Sequence, residues 1–183
     1  MKGALRSFDI PDGVYEDDVL PIRDSCLERY GLREWRAAVL TNDIHGHLGI
    51  YSTLGAKMGV RALEEFEAMG LDTSHISALS YAGSVPPLSC LNDGVQVSTG
   101  ATVGHGALAL ADSAELCPKV VFSCGGKILT LALRPEYENV IRADISEALR
   151  LYSHTPAYWA RVRQLALRYW ASWDRKEIYI ISQ

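Results

Sequence analysis

Apolar residues recur at helical spacing through the middle of the chain. Ile50, Leu54, Met58, Leu63 and Phe66 mark one stripe, while Glu64, Glu65 and Glu67 are set to face water. The pattern predicts an amphipathic helix after His47, over Tyr51 to Met69, ended by Gly70. Upstream, Ile22, Cys26, Leu27 and Tyr30 share a face after Pro21, so a shorter helix is expected there, closed by Gly31. Leu32 to Asn42 reads as a second short helix or turn. Residues 1–20 are a polar lead-in punctuated by Pro and Gly, expected to pack late or stay mobile.

Beyond Gly70 the elements shorten. Ile76 to Tyr81 reads as a strand, followed by turns at Ala82-Gly83-Ser84 and Pro86-Pro87. Ser89 suits the N-cap of a helix carrying Cys90, Asp93 and Gln96. That helix should fail at Thr99-Gly100 and leave a glycine-rich loop through Gly106. Ala107–Ala111, Lys119–Ser123 and Lys127–Leu133 read as strands, the last two joined by a tight Cys124-Gly125-Gly126 turn. Pro135 opens a helical region to about Leu151. Pro156 sits near the first turn of an amphipathic helix bearing Tyr158, Val162, Leu165 and Tyr169, and Ile178–Ile181 is a strand-like tail. Helix, strand, helix and then several strands predict an α+β fold rather than a regular βαβ winding.

Two glycines interrupt the predicted long helix. Gly55 and Gly59 are four apart and share a face. Each costs about 1 kcal/mol against alanine in a helix interior. Close packing against another backbone is the preferred reason, ahead of direct approach to a ligand.

Composition narrows the class. The 183 residues, 48% hydrophobic and 22% charged, suit one domain of ordinary globular type. The net charge of −4, with Lys and Arg scattered, argues against a nucleic-acid partner. No apolar run approaches bilayer length, and the charged first thirty residues have no apolar core of a signal peptide, so a cytoplasmic location without membrane partners is expected. Cys26, Cys90, Cys117 and Cys124 show no paired spacing, which speaks against a disulfide framework.

Candidate chemistry gathers in two stretches. In Asp43-Ile44-His45-Gly46-His47-Leu48-Gly49, side chains at i and i+2 can converge on one point, with Gly46 bending the backbone between them. Neutral imidazole is the commonest metal ligand. Equally, the two histidines can be local capping residues. About forty residues on, Cys90 and Asp93 share a helix face. Cys90 is either a ligand or a small buried hydrophobe. Asp93 is a further ligand, a partner to a histidine, a general base, or a solvated residue. In the loop, backbone N–H groups around Gly104 can receive an anionic ligand and His105 can donate a proton, or the glycines serve only a tight bend. Gln96, Thr99 and Thr102 can bind substrate or satisfy backbone groups. His75 and His154 are read as caps or surface residues. A pair of histidines also opens amidohydrolase barrels and cupins, but the chain has neither the length of the first nor the strand density of the second.

The two stretches HGHLGIYSTLGAKMG and CLNDGVQVSTGATVGHGAL together resemble the FmdE family, which takes its name from a component of formylmethanofuran dehydrogenase. His45, Gly46, His47, Gly55, Cys90, Asp93, Gln96, Thr99, Gly100, Thr102, Gly104, Gly106 and Leu108 fall on its pattern, over Leu32 to Leu151. The resemblance implies an α+β core with a mixed sheet packed against the long glycine-containing helix, usually dimeric. It also implies a metal near the paired histidines and the cysteine. An N-terminal extension over 1–31, a family-like domain over 32–151 and an added C-terminal helix and tail over 152–183 follow from it.

The sequence departs from the family where Gly49-Ile50-Tyr51 replaces Cys-Pro-Gly and Ala101 replaces a cysteine. His105 stands for a lysine and Ala107 for an asparagine. Two thiols are lost and one imidazole gained, so thiol redox chemistry is not expected. The expected site is a divalent metal, zinc by its donors, on His45, His47 and Cys90. Asp93 and His105 would serve as catalytic groups, and Gln96, Thr99, Thr102 and Gly104 would hold the substrate. Two functions fit: transformation of a small polar, one-carbon-related molecule, or an accessory metal- or ligand-binding role beside a molybdenum, tungsten or other one-carbon enzyme. A homodimer is expected from the paired glycine face and the aromatic C-terminal helix (Tyr158, Trp159, Tyr169, Trp170, Trp173).

Overall fold

The computed structural model describes residues 12–183. Much of the expected lead-in therefore lies outside the described residues. The part within them is anchored, since Tyr15 packs against Trp35 with ring centroids 5.7 Å apart and accepts a hydrogen bond from its indole N–H.

Two helices come first: α1 (Leu20–His45) and α2 (Ile50–Ala68). The expected pair of helices before His45 is one run with a kink at Gly31, whose φ of 81° and ψ of 165° only glycine adopts readily. After Gly70, which takes a φ of 78°, come β1 (Ser77–Ser80), α3 (Leu91–Thr99), β2 (Leu108–Leu110), β3 (Lys119–Cys124) and β4 (Lys127–Leu133). The chain closes with α4 (Pro135–Tyr152), α5 (Pro156–Ser172) and β5 (Tyr179–Ser182). Both late helices start on proline, whose missing N–H costs nothing in a first turn. Ser89 is not the cap of α3. It lies in a 3-10 turn over Leu88–Cys90, and Cys90 takes the capping position.

The five strands form one mixed sheet in the order β2-β1-β3-β4-β5, with β1 and β2 parallel and the rest antiparallel. The β3–β4 hairpin turns at Gly125 and Gly126, both at positive φ. Alternate residues of β3 are buried. Phe122, Leu129 and Leu131 on the inner face share a core with Leu54, Met58 and Phe66 of α2. The fold is α+β, with the mixed sheet layered on helices as expected. β5 joins the sheet through β4, and Tyr179 on it donates a 2.6 Å hydrogen bond to the Leu54 carbonyl, so the C-terminal tail is fastened to α2.

The helix–helix crossing is set by glycine. A Cβ on Gly55 would collide with the Leu91 carbonyl, and one on Gly94 would collide with backbone atoms of Ser52 and Ala56. A Cβ on Gly59 would strike the Ser98 hydroxyl. The shared glycine face of α2 is thus consumed by α3 inside the same chain, the packing role the cost argument favours.

A group that the hydropathy pattern does not anticipate lies between α1, α2 and the C-terminal segment. Lys57 and Glu34 are fully buried and paired at 2.5 Å. Lys57 also donates to the Trp173 carbonyl at 2.9 Å and sits 4.0 Å from the centroid of the Tyr30 ring. Arg175 donates to Glu34 at 2.9 Å and to the Tyr30 carbonyl at 3.0 Å, and forks onto Glu64. Burial pushes the Lys57 ammonium below its ordinary range and the Glu34 charge opposes that shift.

Candidate functional site

The paired histidines stand in the turn between α1 and α2. His45 is the last residue of α1, Gly46 takes the left-handed cap with a φ of 80°, and His47 follows in the turn. Asn42 organises this turn. Its amide nitrogen donates to the Ala38 carbonyl at 2.8 Å and to Thr53 at 3.0 Å, while its oxygen accepts from the Gly49 N–H at 2.9 Å and from Ser52 at 2.7 Å. These bonds tie the end of α1 to the start of α2, so Asn42 fixes the direction in which the histidines leave the helix. Gly49 lets the ring in: a Cβ there would sit 2.6 Å from the Ser52 hydroxyl and 3.3 Å from the His45 ring.

The two imidazoles lie 4.3 Å apart between centroids, tilted by 40°. The close α2–α3 crossing brings Asp93 to His45, with Nδ1 and Oδ2 separated by 2.8 Å. A carboxylate only accepts, so Nδ1 carries the proton and donates. His45 Nε2 is buried and has no hydrogen-bond partner among the described residues. Buried ring nitrogens are normally satisfied, and a carboxylate behind a histidine is the usual arrangement of a metal-binding imidazole. Burial, and then the neighbouring His45, hold His47 below the usual imidazole range.

Cys90 lines the same cavity as His45 and His47. Burial, and then the Asp93 charge, push its thiol up, the opposite of what an activated nucleophile requires. Among the described residues, no group of three or more His, Cys, Asp or Glu side chains is gathered closely enough to hold a metal ion. Two imidazoles, one backed by a carboxylate, are donors of the kind a divalent ion takes, but they are not assembled into a cluster with Cys90, a neighbour on the wall.

The cavity measures about 300 Å³. Pro86 and Pro87 line it beside Cys90, and Ile141 and Ile145 of α4 with Tyr158 and Trp159 of α5 supply much of the remainder. His154, on the α4–α5 turn, belongs to the same lining. The sequence offers no signal for this, because His154 is about sixty residues past Cys90 and no spacing joins them. A second hollow of about 510 Å³ shares His47 and Trp159 and is bordered by Leu48 and Arg163.

The other expected site residues lie elsewhere. His105 is exposed and does not line the cavity; its backbone N–H donates to Thr102 Oγ1 at 3.2 Å. Gln96 accepts from the Val103 N–H at 3.0 Å. Thr99 donates to the Val95 carbonyl at 2.6 Å and accepts from the Ala101 N–H at 3.1 Å. Gly104 is exposed in the same loop. These residues build the α3–β2 connection, and Gln96 and Thr102 border a shallow hollow with Asp93 instead of the histidine cavity. Of the aromatic residues expected to offer a dimer surface, Tyr158, Tyr169 and Trp170 are buried within the chain and Trp159 is 55% exposed.

A family model described as "FmdE, Molybdenum formylmethanofuran dehydrogenase operon" matches residues 44–180. The match runs past Leu151 and takes in α4, α5 and the start of β5. The chain is also similar to a protein of Archaeoglobus fulgidus named "Probable S-adenosyl-L-methionine-binding protein", with 30% identity over 129 residues. That alignment covers 64% of this chain and 31% of the relative, so it reaches less than a third of the relative's length.

Proposed function

The chain belongs to the FmdE family, and on that premise we propose that it is a metal-binding protein whose histidine pair, His45 and His47, holds a divalent ion beneath a small-molecule cavity. Zinc suits imidazole and thiolate donors, and Cys90 would complete a three-ligand set on movement of its side chain and loss of its proton. The observation that carries the reading is the buried, partnerless His45 Nε2 backed by Asp93 at Nδ1. When bound, the metal supplies Lewis-acid polarisation of an oxygen ligand. Asp93 holds the His45 tautomer so that Nε2 is left to bind. The apolar α4 and α5 residues exclude water from the cavity, and a one-carbon-related substrate is the class that the family description suggests.

The test is metal analysis of protein purified without chelator or an immobilised-metal column. About one zinc per chain is expected, and joint replacement of His45 and His47 by Ala should remove it while the circular dichroism spectrum stays. Stoichiometric metal in the double variant would overturn the assignment. A second reading is an accessory protein that carries a metal or ligand for a partner enzyme. It is favoured by the looseness of the donor set, in which Cys90 stands beside the histidines without joining them.

A further inference from the structure

Three rings form a continuous ladder along the α4–α5 turn. His154 meets Tyr158 edge-on with centroids 5.4 Å apart, and Tyr158 meets Trp159 edge-on at 5.0 Å. All three line the cavity that also holds the His45–His47 pair. Among the described residues the lining contains imidazoles, one thiol, the Tyr51 and Tyr158 phenols, the Trp159 indole and apolar groups, and neither a carboxylate nor a fixed cation is part of it. Arg163 borders the adjoining hollow, but its guanidinium is engaged with Asp18 through two 2.6 Å bonds.

From this we infer that the cavity selects a ligand with a flat, uncharged ring body and a single polar head, in place of the small polar molecule expected from the sequence. The head would reach the histidine pair and the ring would pack on the Tyr158–Trp159 wall, where ring–ring contact adds to burial of apolar area. A very small hydrophilic substrate would leave the aromatic wall and the Ile141 and Ile145 side chains without contact. Trp159 is the residue on which the preference depends: it is over half exposed, helps line both hollows, and so stands at the boundary between them. The inference rests on the reading that the cavity at His45 and His47 is the ligand site.

Imidazole and benzimidazole share a nitrogen head and differ in the fused ring, so calorimetric titration of each into the full chain separates head from body. Benzimidazole should bind about tenfold more tightly than imidazole. Trp159→Ala should remove that ratio while leaving imidazole affinity and metal content unchanged, and Trp159→Phe should largely keep it. Equal affinities in the unaltered protein would overturn the inference, as would binding of neither probe or a ratio that survives Trp159→Ala. Failure of the underlying metal reading shows separately, as imidazole binding and metal content indifferent to joint replacement of His45 and His47.

Discussion

His45 and Asp93 are 48 residues apart in the chain and 2.8 Å apart in space, one closing α1 and the other in the first turn of α3. Neither residue announces the other. Their contact exists because α2 passes between the two elements in sequence and allows α3 to lie against its backbone.

Loss of the Asp93 carboxylate should be felt by metal affinity before stability. Its side chain is 36% exposed, so Asp93→Ala removes little packing. Losing a carboxylate behind a metal-binding histidine typically lowers affinity by about 10–100-fold. Competition against a chelator of known affinity measures the change, while urea unfolding of the metal-free proteins should agree to within about 0.5 kcal/mol. Unchanged affinity would show that Asp93 does not support a metal-binding role of His45.

The buried charges make the opposite prediction. Glu34 is the anion to which both Lys57 and Arg175 donate. Glu34→Leu strands the Lys57 ammonium, with the Trp173 carbonyl and the Tyr30 ring as its remaining neighbours, and should cost about 3–5 kcal/mol. Lys57→Met leaves Glu34 paired with Arg175 and should cost less. Urea unfolding that ranked the two the other way would refute this account of the cluster.

Acid should weaken the fold. The Arg163 hydrogen bond holds Asp18 below its ordinary 3.8, and the Arg33 hydrogen bond holds Glu67 below 4.5. Burial pushes Glu64 up, but the hydrogen bond and charge of Arg175 outweigh it and leave that carboxyl low as well. Each group binds its proton less tightly folded than unfolded. Their contribution is therefore complete above the unfolded values and lost as pH falls through the lower folded ones, below about pH 4. Unfolding midpoints measured from about pH 7 to about pH 3 should drop in that last interval, and a flat profile would contradict the assignment.

Periodicity suffices for most of the fold, because α2, α5 and the β3–β4 hairpin each carry a local signal in spacing, proline or glycine. It divides the kinked α1 at Gly31, since a glycine between two apolar stretches usually ends a helix, whereas here it only redirects one. The floor of the candidate site is legible through His45, His47 and Cys90. Its opposite wall is not, because His154, Tyr158 and Trp159 enter the cavity only through tertiary packing of α4 and α5. Gln96, Thr99 and Thr102 show why polar residues beside a glycine loop are ambiguous in sequence: each bonds a backbone group, and Gln96 and Thr102 also border a hollow with Asp93. Asn42 escapes notice for the same reason that makes it useful, since its four partners lie within a dozen residues and leave no trace in spacing.

Where Gly55 and Gly94 meet, two helices touch main chain to main chain, and a contact without side chains has no rotamers to exchange. The cavity therefore has one jaw that is rigid and one that is adjustable. The rigid jaw is the α1–α2–α3 junction, where an added methyl group at either glycine drives helices apart and separates His45 from Asp93 together with them. The adjustable jaw is the ring-bearing start of α5, where Trp159 is largely free of the core. If the cavity is the proposed ligand site, substitution there should change which molecule is accepted without disturbing what lies underneath. A lineage built on this frame has room to diversify its ligands while keeping one set of polar atoms in place.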